Sequence, residues 1–361
     1  MLEPDGISLR ASEELMRLMV LPSGGSCANA TGHKHAPGTN APSIAIAVSL
    51  KRYPPIGSAI LIRVQSGFDN GCIHMSLPPV MGLRQVLEEV YRKFNKQEFL
   101  CTDPLGLVLE RPRTDIEASA LVAALLAYGH VKQIRFSVSN ALARMDGAAG
   151  SATGFADLCT APRAVKPAKA LSGFVHRFNT GDDIVLLMCL LGLSRRKYGS
   201  LGGHFATYAR PDDRNTGQAL SMMLRDWSSW ACASALPRGR FFAHLLASPE
   251  HASCCKRWCM LLRWMCRRDR IDPGPWLAPE GPGAVKPSQL VIPLDTHVAR
   301  ISRSLGLTAR KNADWTAALE VTRALGNIDP DDPVRFDFAL ARIGIVGDKK
   351  LEAGLGQHVA I

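Results

Sequence analysis

No part of this chain approaches the roughly 18 consecutive apolar residues that a membrane-spanning helix needs, so a role inside the bilayer is not expected. Cysteine is sparse as well, ten residues in 361, irregularly spaced and with four crowded at Cys254, Cys255, Cys259 and Cys266. That pattern lacks the regular spacing of a disulfide framework and predicts a reducing, intracellular compartment. The opening Met1 to Gly6 carries acid, Glu3 and Asp5, where a secretory signal carries base, and no apolar segment ends in a small-residue cleavage site; secretion is not expected. No repeat period runs through the chain.

What is present is a core. Hydrophobic residues make up 47% of the sequence and charged residues 21%, which excludes disorder throughout. The length exceeds what one helical core fills, so two domains with an appendage are expected. Lys and Arg outnumber Asp and Glu by 43 to 32, a net charge of +11 that favours polyanionic partners, nucleic acid before membrane surface. The excess is uneven: ten basic residues face four acids between His251 and Arg310.

Residues 1–79 form an extension unlike the rest. Gly, Pro, Ser and Ala dominate Leu21 to Pro42, a linker composition, and the apolar runs Ile44–Val48 and Ile60–Val64 could pair as a small hairpin. A weakly ordered segment is the expectation there, because lone hairpins are marginal in water. From Gly82 the apolar period becomes helical. Leu83, Val86, Leu87, Val90, Tyr91 and Phe94 line one face, and Thr114-Asp115-Ile116-Glu117 reads as a capping box. Further helices are predicted over 183–193, 218–230, 255–266, 296–305, 314–325 and 333–343. Asp314 is placed to cap one of them, Asp332-Pro333 to start another, and Gly306 and Gly326 to end two. The fold class is all-α, with a long surface loop over 269–288.

Four short stretches carry a family resemblance: Lys256-Arg257, Leu262-Arg263-Trp264-Met265, Ile292-Pro293-Leu294-Asp295-Thr296-His297-Val298, and Asp329-Pro330 with Asp332-Pro333-Val334 and Phe336 to Leu340. From about Gly82 to Gly344 the chain resembles the helix-hairpin-helix DNA glycosylase superfamily, the endonuclease III and 8-oxoguanine glycosylase group. Within it, the chain is most similar to a largely uncharacterised domain-of-unknown-function family. The resemblance implies two helical subdomains with a cleft between them, residues 80–117 with 290–361 against a barrel of 118–289. It implies a monomer that excises a base from double-stranded DNA carrying damaged or abasic sites, with or without strand cleavage by the lysine. By motif, Lys256 takes the nucleophile's position and Asp295 that of the carboxylate across the cleft. Arg257, Arg263, Arg267, Arg268, Arg270, Ser253, His297 and Arg300 become candidate DNA contacts, and Tyr128, His130 and Gln133 candidates for the gap left by the flipped base. No cofactor is expected: superfamily members often carry an iron–sulfur cluster on four cysteines after the last helix, and no cysteine follows Gly344. The superfamily's Gly-x-Gly hairpin before the lysine is also missing, replaced by Ser248-Pro249-Glu250-His251-Ala252-Ser253.

The chemistry stands on its own terms. Breaking an N-glycosidic bond builds positive charge on the sugar, which a carboxylate stabilises, and the start of a helix favours negative charge at Asp295. Only an unprotonated amine attacks carbon, so Lys256 must lose a proton first. Bland readings stay open beside these. Asp295 can be a helix cap alone, Lys256 a phosphate contact, His297 a first-turn hydrogen bonder, Tyr128 a core residue, and the clustered cysteines buried thiols. A catalytically inactive DNA- or RNA-binding protein on the same scaffold is the alternative function, and a purely structural helical protein a third. Phe174 to Phe178 and Tyr198 to Leu201 match the uncharacterised family with no chemistry attached.

Overall fold

The computed structural model describes residues 82–161, 165–277 and 285–346. The chain divides into Met1–Leu77 and Pro78–Ile361; the first unit, with the expected linker and hairpin, lies outside the described residues. The second is helical: α1 (Leu83–Phe94), α2 (Pro104–Leu109), α3 (Ile116–Leu125), α4 (Val131–Ala149), α5 (Ala152–Cys159), α6 (Val165–Ala170), α7 (Gly181–Tyr198), α8 (Leu201–Ala206), α9 (Gly217–Ala233), α10 (Lys256–Cys266), α11 (Thr296–Ser304), α12 (Trp315–Gly326) and α13 (Asp337–Val346). One antiparallel ladder, β1 (Val175–His176) with β2 (Asn179–Thr180), precedes α7.

α3 is the axis of the unit. Every residue from Ala118 to Ala127 is buried, so this helix has no polar face and must be wrapped on all sides. α10 and α2 pack directly on it. α7 is nearly as enclosed, with Ile184 to Leu191 buried and α5 and α8 against it. At its start the Asp183 carboxylate accepts from the Thr180 N–H at 2.9 Å. Between α7, α9 and α10 lies an aromatic joint: Trp227 and Trp258 meet edge to face at 5.5 Å, and their indole N–H groups donate to Ser194 Oγ and the Leu245 carbonyl. On the other side, α13 packs on α1 and α11. The helix over 104–109, grouped from sequence with the terminal helices, packs on α3 and α4.

Several local expectations need correction. Thr114 to Glu117 is not a capping box. Asp115 makes no cap on its own helix; it binds Arg111 and accepts from the Thr153 N–H in the first turn of α5, while Glu117 accepts from the first N–H groups of α8 (Leu201 at 3.0 Å, Gly202 at 2.9 Å) and from Trp276 Nε1. Asp332-Pro333 opens a 3-10 turn, Pro333–Phe336, rather than the α-helix itself, and the Asp332 side chain makes no cap. Asp314 does cap α12, its Oδ1 accepting from Ala317 N at 2.8 Å. The segment 269–288 is not surface throughout, since Ile271 and Asp272 are each 2% exposed.

Candidate active site

The site is built where three helix ends meet. A helix leaves its last carbonyls without partners, and the end of α3 is buried, so those carbonyls must be satisfied from outside. The first two residues of α10 do this: Lys256 Nζ donates to the Ala127 carbonyl at 3.2 Å and Arg257 to that of Leu125 at 2.9 Å. Cations are favoured there by the negative end of the α3 dipole. Opposite stands the start of α11, where Asp295 Oδ1 accepts from Val298 N at 2.8 Å. Its other oxygen, Oδ2, lies 3.7 Å from Lys256 Nζ. The two side chains are 29% and 19% exposed, open to a ligand yet partly shielded from water.

This pair forms a wall shared by two cavities. One, of about 360 Å³, runs toward α13 and is lined by His130, Met260, Arg263, Asp337 and Phe338. The second, of about 410 Å³, opens the other way past Tyr128, His244, Ser253, Cys254 and Arg257. Lys256, Asp295 and His297 line both. The His297 ring packs on Gly344 of α13, where a β-carbon would fall 2.5 Å from Nδ1, and that buried nitrogen has no hydrogen-bond partner among the described residues. Asp337, at the start of α13, is 4% exposed and paired with Arg263. Burial pushes its carboxyl up to about 7 against the pull of Arg263, and the charge of Asp295 adds to the rise.

The chain reaches Lys256 through a turn with no glycine in it. After the 3-10 segment Pro249–His251, Ala252 and Cys255 adopt left-handed φ of +56° and +49°. Ser253 bridges to Asp314, and Trp315 N donates to the Ala252 carbonyl, which ties the turn to the start of α12. A left-handed turn therefore precedes the lysine without glycine, at the cost of two strained L residues.

Three of the candidate DNA contacts must be withdrawn. Arg257, 7% exposed, spends its guanidinium on the Leu125 and His244 carbonyls and sits 5.1 Å over the Tyr128 ring; burial pushes it down to about 10. Arg263 is 3% exposed between Asp272 and Asp337. Arg267 is 4% exposed among Asp269, Asp272 and Asp332. A guanidinium can leave water only when carboxylates or carbonyls take its donors, and these acids supply that. Arg268, Arg270 and Arg300 are exposed, with Arg268 donating to the Pro273 and Gly274 carbonyls. Ser253 Oγ accepts from Cys255 N at 3.2 Å.

Of the three residues expected in the base gap, His130 lines the first cavity and accepts from Lys132 N through Nδ1. Tyr128 borders the second, with its hydroxyl 2.7 Å from Asn179 Oδ1 and 2.9 Å from the His176 carbonyl, so it acts as a strut. Gln133 lines neither; it is exposed and donates to Ser137 Oγ. Cys255, Cys259 and Cys266 are buried free thiols with pKa values raised by burial, and no metal-holding group of side chains occurs among the described residues. Asp337 and His244 carried no assignment from sequence. Asp337 stood inside the quoted Phe336 to Leu340 stretch, but nothing local showed that it would be buried beside Asp295.

An all-α protein with an ionic pair dividing a cleft is the class that fold and site define. Residues 103–346 match the family described as Protein of unknown function (DUF2400), and the chain belongs to that family. No curated protein and no solved structure matches it.

Proposed function

We propose that this protein is a DNA N-glycosylase that acts on a flipped nucleotide, with Lys256 as nucleophile and Asp295 as the stabilising carboxylate. The observation that carries the reading is the 3.7 Å approach of Lys256 Nζ to Asp295 Oδ2 at the wall between two cavities. In this reading the deprotonated amine forms a bond to the sugar C1′ as the C1′–N bond breaks, and the base leaves with the electron pair and takes a proton. Asp295 opposes the positive charge that grows on the sugar. Opening of the sugar ring and loss of the second amine proton give an imine. β-Elimination from it breaks the strand at the 3′ oxygen, and water returns the free lysine.

The test joins two assays on DNA carrying damaged bases or abasic sites: release of free base, and covalent trapping when borohydride reduces the imine. Both are expected from the native chain, with trapping abolished by Lys256→Ala. Base release without trapping would assign hydrolysis by water and remove the nucleophile's role from Lys256. Neither signal across a broad lesion panel would overturn the enzymatic reading. The silent DNA- or RNA-binding alternative is favoured by one observation: the Lys256 ammonium already serves the end of α3, the role of a structural cross-link.

A further inference from the structure

The β1–β2 hairpin puts an unusual pair of residues at its tip. Its register, Val175 with Thr180 and His176 with Asn179, leaves Arg177-Phe178 as a two-residue turn. The first turn position, where glycine is preferred, carries Arg177 at φ +52°. A strained tip persists only when its surroundings hold it, and this one is bolted down. The Tyr128 hydroxyl reaches the His176 carbonyl and Asn179, His176 Nε2 lies 3.2 Å from the Tyr128 carbonyl, and Asn179 Nδ2 reaches Asp183 Oδ2 and the Phe241 carbonyl. The Arg177 side chain lies across Gly129, where a β-carbon would come within 2.9 Å of it.

This rigid frame presents apolar rings to solvent. Phe178 is 46% exposed and Phe241 44%, with ring centroids 5.3 Å apart. Arg177 stands 5.2 Å from the Phe178 centroid and Arg240 5.6 Å from that of Phe241; both arginines are exposed and without an ion pair among the described residues. Exposed rings flanked by unpaired guanidinium groups match one chemistry on two counts, π-faces for a base and cations for the adjoining phosphates. The patch also adjoins the candidate site: Phe178 stacks on Tyr128 at 6.1 Å and 12°, and Tyr128 borders the cavity that holds Lys256.

We infer that Phe178 and Phe241 form a stacking platform for an unpaired nucleobase of a nucleic-acid strand, with Arg177 and Arg240 on its phosphates. The inference extends the nucleic-acid reading of the cleft but does not require turnover there. The experiment measures binding of the full chain to a fluorescent single-stranded oligonucleotide, a blunt duplex of the same length and heparin, with a thermal melt for each variant. Phe178→Ala with Phe241→Ala should weaken the single strand by about tenfold or more, change heparin binding less than twofold, and leave the melt in place. Phe178→Trp, in the otherwise native chain, should keep the affinity. Equal loss on heparin, or unchanged single-strand affinity in the folded double variant, would overturn the platform. So would absence of single-strand binding by the native chain at low salt. A Lys256→Ala chain that still stacks the strand while no chain releases base would sink the glycosylase reading and leave the platform standing.

Discussion

Two clusters in this protein hold the residue types of catalysis, and they differ in access. Ser194, His204 and Asp226 meet at distances typical of an acyl-transfer triad: Ser194 Oγ is 2.9 Å from His204 Nδ1, and His204 Nε2 is 3.0 Å from Asp226 Oδ2. Yet Ser194 and His204 are both 0% exposed. The serine oxygen also engages the Leu190 carbonyl and Trp227 Nε1, and His204 lies between the rings of Tyr198 and Trp230. Lys256 and Asp295 are farther apart, but one carboxylate oxygen is turned from its helix cap toward the lysine, and cavities open on both sides. Proximity alone does not make a site; an approach for substrate and an oxygen not wholly spent on structure do.

The sharpest way to break this contrast is to remove charge without removing caps. Asp295→Asn keeps a side-chain acceptor for Val298 N, so stability should change by less than about 1 kcal/mol. Base release should fall by a factor of about 100 or more. Ser194→Ala should leave the rate constant for base release unchanged in the folded fraction, since nothing reaches that hydroxyl. Equal rate losses in the two variants would erase the distinction.

Arg263→Ala tests the buried side of the comparison. It leaves buried Asp337 without its cation and takes from Asp272 one of its two arginines, Arg267 remaining, and denaturant unfolding should show a loss of about 3–5 kcal/mol. A loss below about 1 kcal/mol would mean that Arg263 is hydrated and available to DNA after all.

The sealed triad should also show itself by pH. Burial lowers the His204 pKa below its ordinary 6.5, and does the same at His176. A depressed folded pKa means that the unfolded chain binds the proton more readily, so this contribution is intact above about pH 6.5 and is lost as pH falls through the lowered value. His204→Gln should remove that part of the acid-side slope in stability below pH 6.5. A histidine resonance of His204 titrating at or above 6.5 would contradict its burial.

The smallest expected effect concerns the turn before Lys256. Ala252→Gly relieves a left-handed L residue but frees the unfolded chain, for a net gain of roughly 0.5 kcal/mol in denaturant unfolding. A loss would show that the alanine is not strained there.

Sequence periodicity located the helices whose apolar faces are clean, such as α1, α11 and α12, and the start of α11 was readable because Asp295 precedes an amphipathic run. Lys256 was legible only through resemblance, since nothing local says that its amine meets the end of α3. The three buried arginines were misjudged for a related reason. Arg263 and Arg267 meet Asp337 and Asp332, and Arg257 meets the Leu125 carbonyl, all distant in the chain, and a basic run looks like solvated surface until those groups are brought to it. Glu117 was misread the same way, because the N–H groups it caps belong to α8 rather than to its own helix. The triad of Ser194, His204 and Asp226 has no short-range pattern at all.

The central claim is that the Lys256 amine is the group that meets the sugar. Its most direct test is to trap the native chain on abasic-site DNA with borohydride, digest the adduct, and identify the modified residue by mass spectrometry. The account predicts a single modified lysine, Lys256, and no adduct from Lys256→Ala. An adduct on another lysine, or one of undiminished yield from Lys256→Ala, would contradict it.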